Sequence, residues 1–186
     1  NKILKLIKSE NTKKNITDNL RLIIKYILSG IQETNYPIGN NEMNEVLKEY
    51  LTLINSKKIN DDKINITPKD FVGPSSNTLQ IQNILSNNKK EDYKVVNIRN
   101  NYCVTDKADG IRKLLFISSK KKIYLINTEM KIQFTGYKTS SEELTNTLID
   151  GEHILNDKNN NFINLYAAFD IYYINNKNVS MLAFVK

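Results

Sequence analysis

Lys107-Ala108-Asp109-Gly110-Ile111-Arg112 sets a primary amine, a glycine and a guanidinium within six positions. An amine so placed can act as a covalent nucleophile. Gly110 permits either a close backbone approach or a positive φ, so the chain can turn and bring Arg112 toward the same ligand. The guanidinium offers a planar fork of donors that suits a ribose hydroxyl or a phosphate, which the point charge of a lysine cannot match. To attack, Lys107 must be neutral, and an ordinary lysine with a pKa near ~10.4 is almost wholly protonated at neutral pH. Lowering that value to about 7 takes roughly 4 kcal/mol, drawn from desolvation and from positive charge such as Arg112 or a metal ion. Asp106 and Asp109 oppose this, so Asp109 is assigned to shaping the loop. The plain alternative for the hexapeptide is a β-turn carrying a surface lysine.

Two more places hold groups that could join it. Asp150-Gly151-Glu152 precedes Ile154-Leu155 in a strand-like run. There Glu152 could accept from a ribose or hold a metal-bound water, since magnesium prefers oxygen ligands and keeps much of its hydration. By itself Asp-Gly is an ordinary turn pair. Phe169 falls in the apolar run from Leu165 to Ile174, where the default is core. An aromatic face beside a nucleotide can also stack on the base, worth about 1 to 3 kcal/mol, and small Ala167 two positions earlier would leave it room. His153 alternates to the face opposite Glu152 and reads as structural.

These groups need elements to carry them. From about residue 93 the chain breaks into short β-rich runs: Tyr102 to Asp106, Ile111 to Ile117, Ile123 to Asn127, Lys131 to Phe134, Leu148 to Leu155 and Phe162 to Ile174. Their alternation predicts a mainly antiparallel sheet, with Thr105 and Lys107 on one face of the first strand, looking into one pocket. Ser118 to Lys121 and Asn156 to Asn160 read as turns, and Ser140 to Asn146 as one short helix. Upstream, Leu20, Ile23, Ile24, Ile27 and Leu28 recur at helical spacing behind a Thr17 cap and before Gly30. A second helix is predicted from Asn41 to Ile54, with Met43, Val46, Leu47, Tyr50, Leu51 and Ile54 on one side. The polar stretch from Asn55 to Lys69 marks a boundary between a helical linker or interdomain segment (1–60) and a β-rich domain (61–186). The expected class is α+β.

Composition bounds the chemistry. The 186 residues suffice for one core plus a helical appendage, and no apolar run is long enough to span a bilayer. Cys103 and His153 are each the only residue of their kind, which excludes an internal disulfide, cysteine-based zinc clusters and histidine-driven triads, and favours a reducing compartment. The chain begins with Asn and shows no secretory leader, so an intracellular piece of something longer is expected. A net charge of +7 suggests an anionic partner, with Lys89-Lys90 and Lys120-Lys121-Lys122 as possible phosphate contacts. The abundance of Asn, Lys and Ile offers another source for that charge, an AT-rich coding genome.

Lys107-Ala108-Asp109-Gly110-Ile111-Arg112, Asp150-Gly151-Glu152 and Phe169-Asp170 together resemble the covalent nucleotidyltransferases, that is, messenger-RNA capping guanylyltransferases and ATP-dependent polynucleotide ligases. The resemblance implies an antiparallel, ligase-type core preceded by a helical segment, incomplete because the family's later acidic and lysine motifs and its OB-fold lid are not seen before Lys186. It implies Lys107 as the residue that takes a nucleotide as a phosphoramidate, Arg112 and Glu152 at the ribose, Glu152 also near Mg2+ or Mn2+, and Phe169 on the base, with Asp109, Gly110 and Asp150 in support. Ligases commonly place Glu two residues before the lysine, whereas this chain has Thr105, which is similar to capping enzymes and favours GTP over ATP. Phe71-Val72-Gly73-Pro74-Ser75-Ser76 resembles the segment preceding the first strand of such enzymes. The implied reaction passes GMP from GTP to the 5′-diphosphate end of RNA, with triphosphatase and methyltransferase domains as partners in the same polypeptide or complex. The chain looks most like the capping enzyme of a large DNA virus, acting in host cytoplasm or virion. The alternatives are an ATP-dependent DNA or RNA ligase, or a non-catalytic nucleic-acid-binding remnant of the fold.

Overall fold

Strands form where the sequence alternates. The computed structural model describes residues 10–55, 66–85, 97–99 and 102–182, and within them six strands pair into one antiparallel sheet. They are β1 (Ile111–Ile117), β2 (Lys122–Asn127), β3 (Ile132–Lys138), β4 (Thr147–Asn156), β5 (Phe162–Ile174) and β6 (Lys177–Asn178), in the order β3-β2-β1-β4-β5-β6. Two helices, α1 (Glu10–Gln32) and α2 (Asn40–Asn55), precede the sheet, giving the expected α+β class.

Register sorts the side chains into two faces. Arg112, Leu114 and Phe116 of β1 lie opposite Glu152, Asp150 and Leu148 of β4, and Tyr124 and Ile126 of β2 continue the row. Leu114, Phe116, Ile126 and Leu148 are wholly buried, and α2 covers them with Val46, Tyr50 and Leu51. Each such side chain contributes about 1.5 to 3 kcal/mol by leaving water. Tyr50 meets Phe116 edge-on at 6.2 Å between centroids. Its hydroxyl donates to the Asp70 carbonyl at 2.7 Å and accepts from the Val72 amide at 3.0 Å, which fastens the segment around Phe71 to the core.

Three expectations change. The strand over Tyr102–Asp106 does not form: residues 102–109 have no ladder partner, and Thr105 and Lys107 do not share a pocket wall. Both sides of β1 are already taken, by β2 and β4, so the run just before it cannot pair alongside β1. Helix α1 runs through Thr17 and Gly30 instead of being bounded by them. It ends where Glu33 adopts φ 50° and the Thr34 amide donates to the Ser29 carbonyl, a Schellman closure without glycine. Finally, Lys120, Lys121 and Lys122 pair with Glu45, Glu142 and Glu42, so they tie α2 and the loop before β4 to the sheet instead of presenting free charge to phosphates. Lys89 and Lys90 lie outside the described residues.

Candidate active site

Glu152 organises the motif loop. It stands on β4 opposite Arg112, and its Oε2 accepts the Gly110 amide at 2.8 Å, joining the lysine hexapeptide to the Asp-Gly-Glu strand. Of the two reasons for glycine at 110, close approach is the one that applies. A Cβ there would lie 2.8 Å from the His153 carbonyl oxygen and 2.9 Å from Ile154 Cγ1. Asp150-Gly151 is mid-strand, not a turn, with the Tyr166 ring passing over Gly151.

Arg112 is gripped on two sides. Its Nε and Nη2 donate to Asp150 Oδ1 and Oδ2 at 3.2 and 2.6 Å, and its Nη1 donates to the Pro74 carbonyl at 2.8 Å. The Phe71 ring lies 5.5 Å from its Cζ, a cation–π distance. Asp150 is fully buried, and Tyr172 donates to its Oδ2 at 2.5 Å. The hydrogen bond from Arg112 to the Asp150 carboxylate raises the arginine pKa further against the opposing effect of burial. Three of the five guanidinium donors are thus used within the described residues, leaving two for a ligand.

Lys107 stands clear of this grip. Its side chain is 83% exposed, and Nζ donates to the Ala108 carbonyl at 3.2 Å and lies 3.8 Å from Asp109. The desolvated lysine beside a bare arginine charge, expected from the chemistry, is not what the structure holds: the lysine is solvated and the arginine charge is matched by Asp150. Thr105 is exposed as well. Phe169 is not core but 40% exposed. Asp150 pairs with Asp170 while Gly151 pairs with Ala168, so Phe169 is the extra residue of a bulge, and the alternation that would place it beside Ala167 is broken.

The reverse face is different in kind. His153 points there as expected, its Nδ1 3.1 Å from Lys113 Nζ and its Nε2 2.8 Å from Asn164 Oδ1. Burial lowers the pKa of both His153 and Lys113. A cavity of about 580 Å³ on this side is lined by Tyr36, Phe134, His153, Asn164 and Tyr166 among others, and by none of Thr105, Lys107, Arg112, Glu152 or Phe169. Of the motif residues, Thr105, Lys107 and Phe169 are exposed, while Arg112 and Glu152 are half-buried. Among the described residues no cluster of three acidic, histidine or cysteine side chains could hold a metal by itself. Glu152 Oε1 is the carboxylate oxygen left over, since Oε2 holds Gly110.

Sequence reasoning missed Tyr172 and the part played by Phe71 and Pro74 at Arg112. Tyr172 sits in an apolar run where nothing separates it from a core residue, whereas the Phe71–Ser76 segment could be noticed from its composition but not placed.

The catalytic domain of mRNA capping enzymes matches this chain over residues 52–186, a span that takes in the lysine hexapeptide, Asp-Gly-Glu and Phe169. The chain belongs to that family. A probable mRNA-capping enzyme of Acanthamoeba polyphaga mimivirus is 31% identical over 142 residues, which make up 76% of this chain and 10% of that protein. The chain thus spans about a tenth of the length of that relative. No helix among the described residues is long and apolar enough to cross a membrane.

Proposed function

We propose that the chain carries out guanylyl transfer in RNA capping. Lys107 Nζ attacks the α-phosphorus of GTP, a P–N bond forms, the bond to the β-phosphate oxygen breaks, and pyrophosphate leaves as the amine gives up its proton. A terminal oxygen of 5′-diphosphate RNA then attacks the same phosphorus, the P–N bond breaks, and the lysine regains a proton. The observation that carries this reading is the Gly110–Glu152 hydrogen bond, which sets the exposed amine on a loop anchored to the carboxylate strand. Arg112, with two free donors next to Glu152, suits the ribose, and the open ring of Phe169 suits the base. Thr105, in place of the glutamate usual in ligases, favours guanine.

Mg2+ or Mn2+ fits as a partner of the triphosphate. One or two carboxylates plus phosphate oxygens are what Mg2+ ordinarily takes, and Glu152 Oε1 supplies one. Such an ion neutralises phosphate charge. Triphosphatase and methyltransferase activities belong to other domains of the same polypeptide or complex.

The test is covalent labelling of the full chain with α-labelled GTP or ATP and a divalent ion, followed by denaturation. GTP label that is lost in Lys107→Ala supports the proposal. Label from ATP would move the assignment to a ligase, and no label with either nucleotide would leave a non-catalytic binding module.

A further inference from the structure

The residues that hold Arg112 are themselves arranged around one point. Asp150, fully buried, accepts from Arg112 through both oxygens, and Tyr172 donates to its Oδ2 at 2.5 Å as well, which fixes the carboxylate that holds the guanidinium. Tyr172 can point inward because β5 bulges beside it: Ile171 pairs with Ile149 and Tyr173 with Leu148, so both Tyr172 and Tyr173 turn toward the core. On the outer side, Gly73 adopts φ +139°, which L side chains rarely take. A Cβ at Gly73 would lie 2.5 Å from Arg112 Nη2, 3.0 Å from the Tyr172 hydroxyl and 3.4 Å from Asp150 Oδ2. That glycine lets the segment close so that Pro74 accepts from Nη1 and the Phe71 ring faces the guanidinium.

We propose that Tyr172 and Gly73 are positioning residues for nucleotide binding, acting through Asp150 and the Phe71–Pro74 segment to fix the orientation of Arg112. The inference rests on the guanylyl-transfer reading above. A long arginine side chain loses rotamer freedom when it engages a ligand, and a clamp that orders it beforehand removes that loss from binding. Because the two free donors meet the nucleotide before and during phosphoryl transfer, loosening the clamp weakens ground-state and transition-state binding alike. Such a loss raises KM and leaves kcat in place.

The experiment measures GTP-dependent formation of the covalent lysyl–GMP adduct on the full chain, with Tyr172→Phe and Gly73→Ala compared with the native protein. The expected result for Tyr172→Phe is a rise in KM for GTP of about fivefold to tenfold with kcat within about twofold. Gly73→Ala shifts KM the same way and further. If Gly73→Ala fails to fold, Tyr172→Phe, which removes a single oxygen, decides. An unchanged KM with a lowered melting temperature, or a fall in kcat alone, would overturn the inference while leaving guanylyl transfer intact. A native protein that takes no label from GTP overturns the functional reading and this inference with it.

Discussion

Replacing Gly110 with alanine isolates the contact on which the site depends. The new Cβ would start 2.8 Å from the His153 carbonyl oxygen, and that oxygen is backbone of β4, held between β1 and β5. The loop must therefore yield. Ordinary contact at 3.4 Å or more requires it to move by about 0.6 Å, which stretches the 2.8 Å bond from Gly110 to Glu152 to near the outer limit for a hydrogen bond. A bond to a charged acceptor contributes about 1.5 to 3 kcal/mol, and solvent exposure at this loop argues for the lower end. At about 1.5 kcal/mol, the ratio of docked to undocked loop falls roughly tenfold. Single-turnover labelling with GTP should therefore slow, by up to about tenfold. The docked loop belongs to the native state, so the same loss should lower the melting temperature by no more than about 3 to 6 °C. Labelling at the native rate by Gly110→Ala would refute the idea that docking on Glu152 prepares Lys107.

Other predictions concern the scaffold. Tyr50→Phe leaves the Asp70 carbonyl and Val72 amide without their buried partner and should cost about 1 to 3 kcal/mol, read as a lowered urea midpoint at unchanged slope. Phe116→Ala empties a fully buried position between the sheet and Tyr50, and a loss of about 3 to 5 kcal/mol is expected in the same measurement. His153 is the only histidine, and its burial, aided by the charge of Lys113 and resisted by Asn164, holds the folded pKa below the usual value. The unfolded chain therefore binds the proton first, so stability is full above about pH 6.5 and declines as pH falls toward the folded value. Urea midpoints should be flat from about pH 8 to 7 and then drop by about pH 5.5, and His153→Gln should lack that drop. An unchanged pH profile in the variant would assign the slope elsewhere.

The strands were legible because their signal is local. β1 and β5 fall on the expected residues, and β4 extends one residue beyond each predicted end, since period-two alternation of Leu, Ile and Phe needs no knowledge of neighbours. Helix α2 was equally plain from its apolar stripe, which does cover the sheet. The end of α1 was not, because Glu33 closes it in a left-handed conformation usually left to glycine, helped by Gln32, whose side chain bonds both backbone groups of Ile38. The run 102–106 has the residue types of a strand, but a strand also needs a partner, and which strands pair is a property of the assembled sheet.

At the site, the residue types alone determined which groups were present: an amine at 107, a guanidinium at 112, a carboxylate at 152 and a ring at 169. Only the tertiary structure decided what each is free to do. It assigned one oxygen of Glu152 to the Gly110 amide, matched the charge of Arg112 with a buried aspartate, and left Lys107 in water. Those outcomes turn on partners 38 to 42 residues away and on a bulge in β5 that reverses the facing of its side chains. Spacing along a chain sets direction within one strand, whereas burial, pairing and charge balance arise between strands, after the sheet has closed.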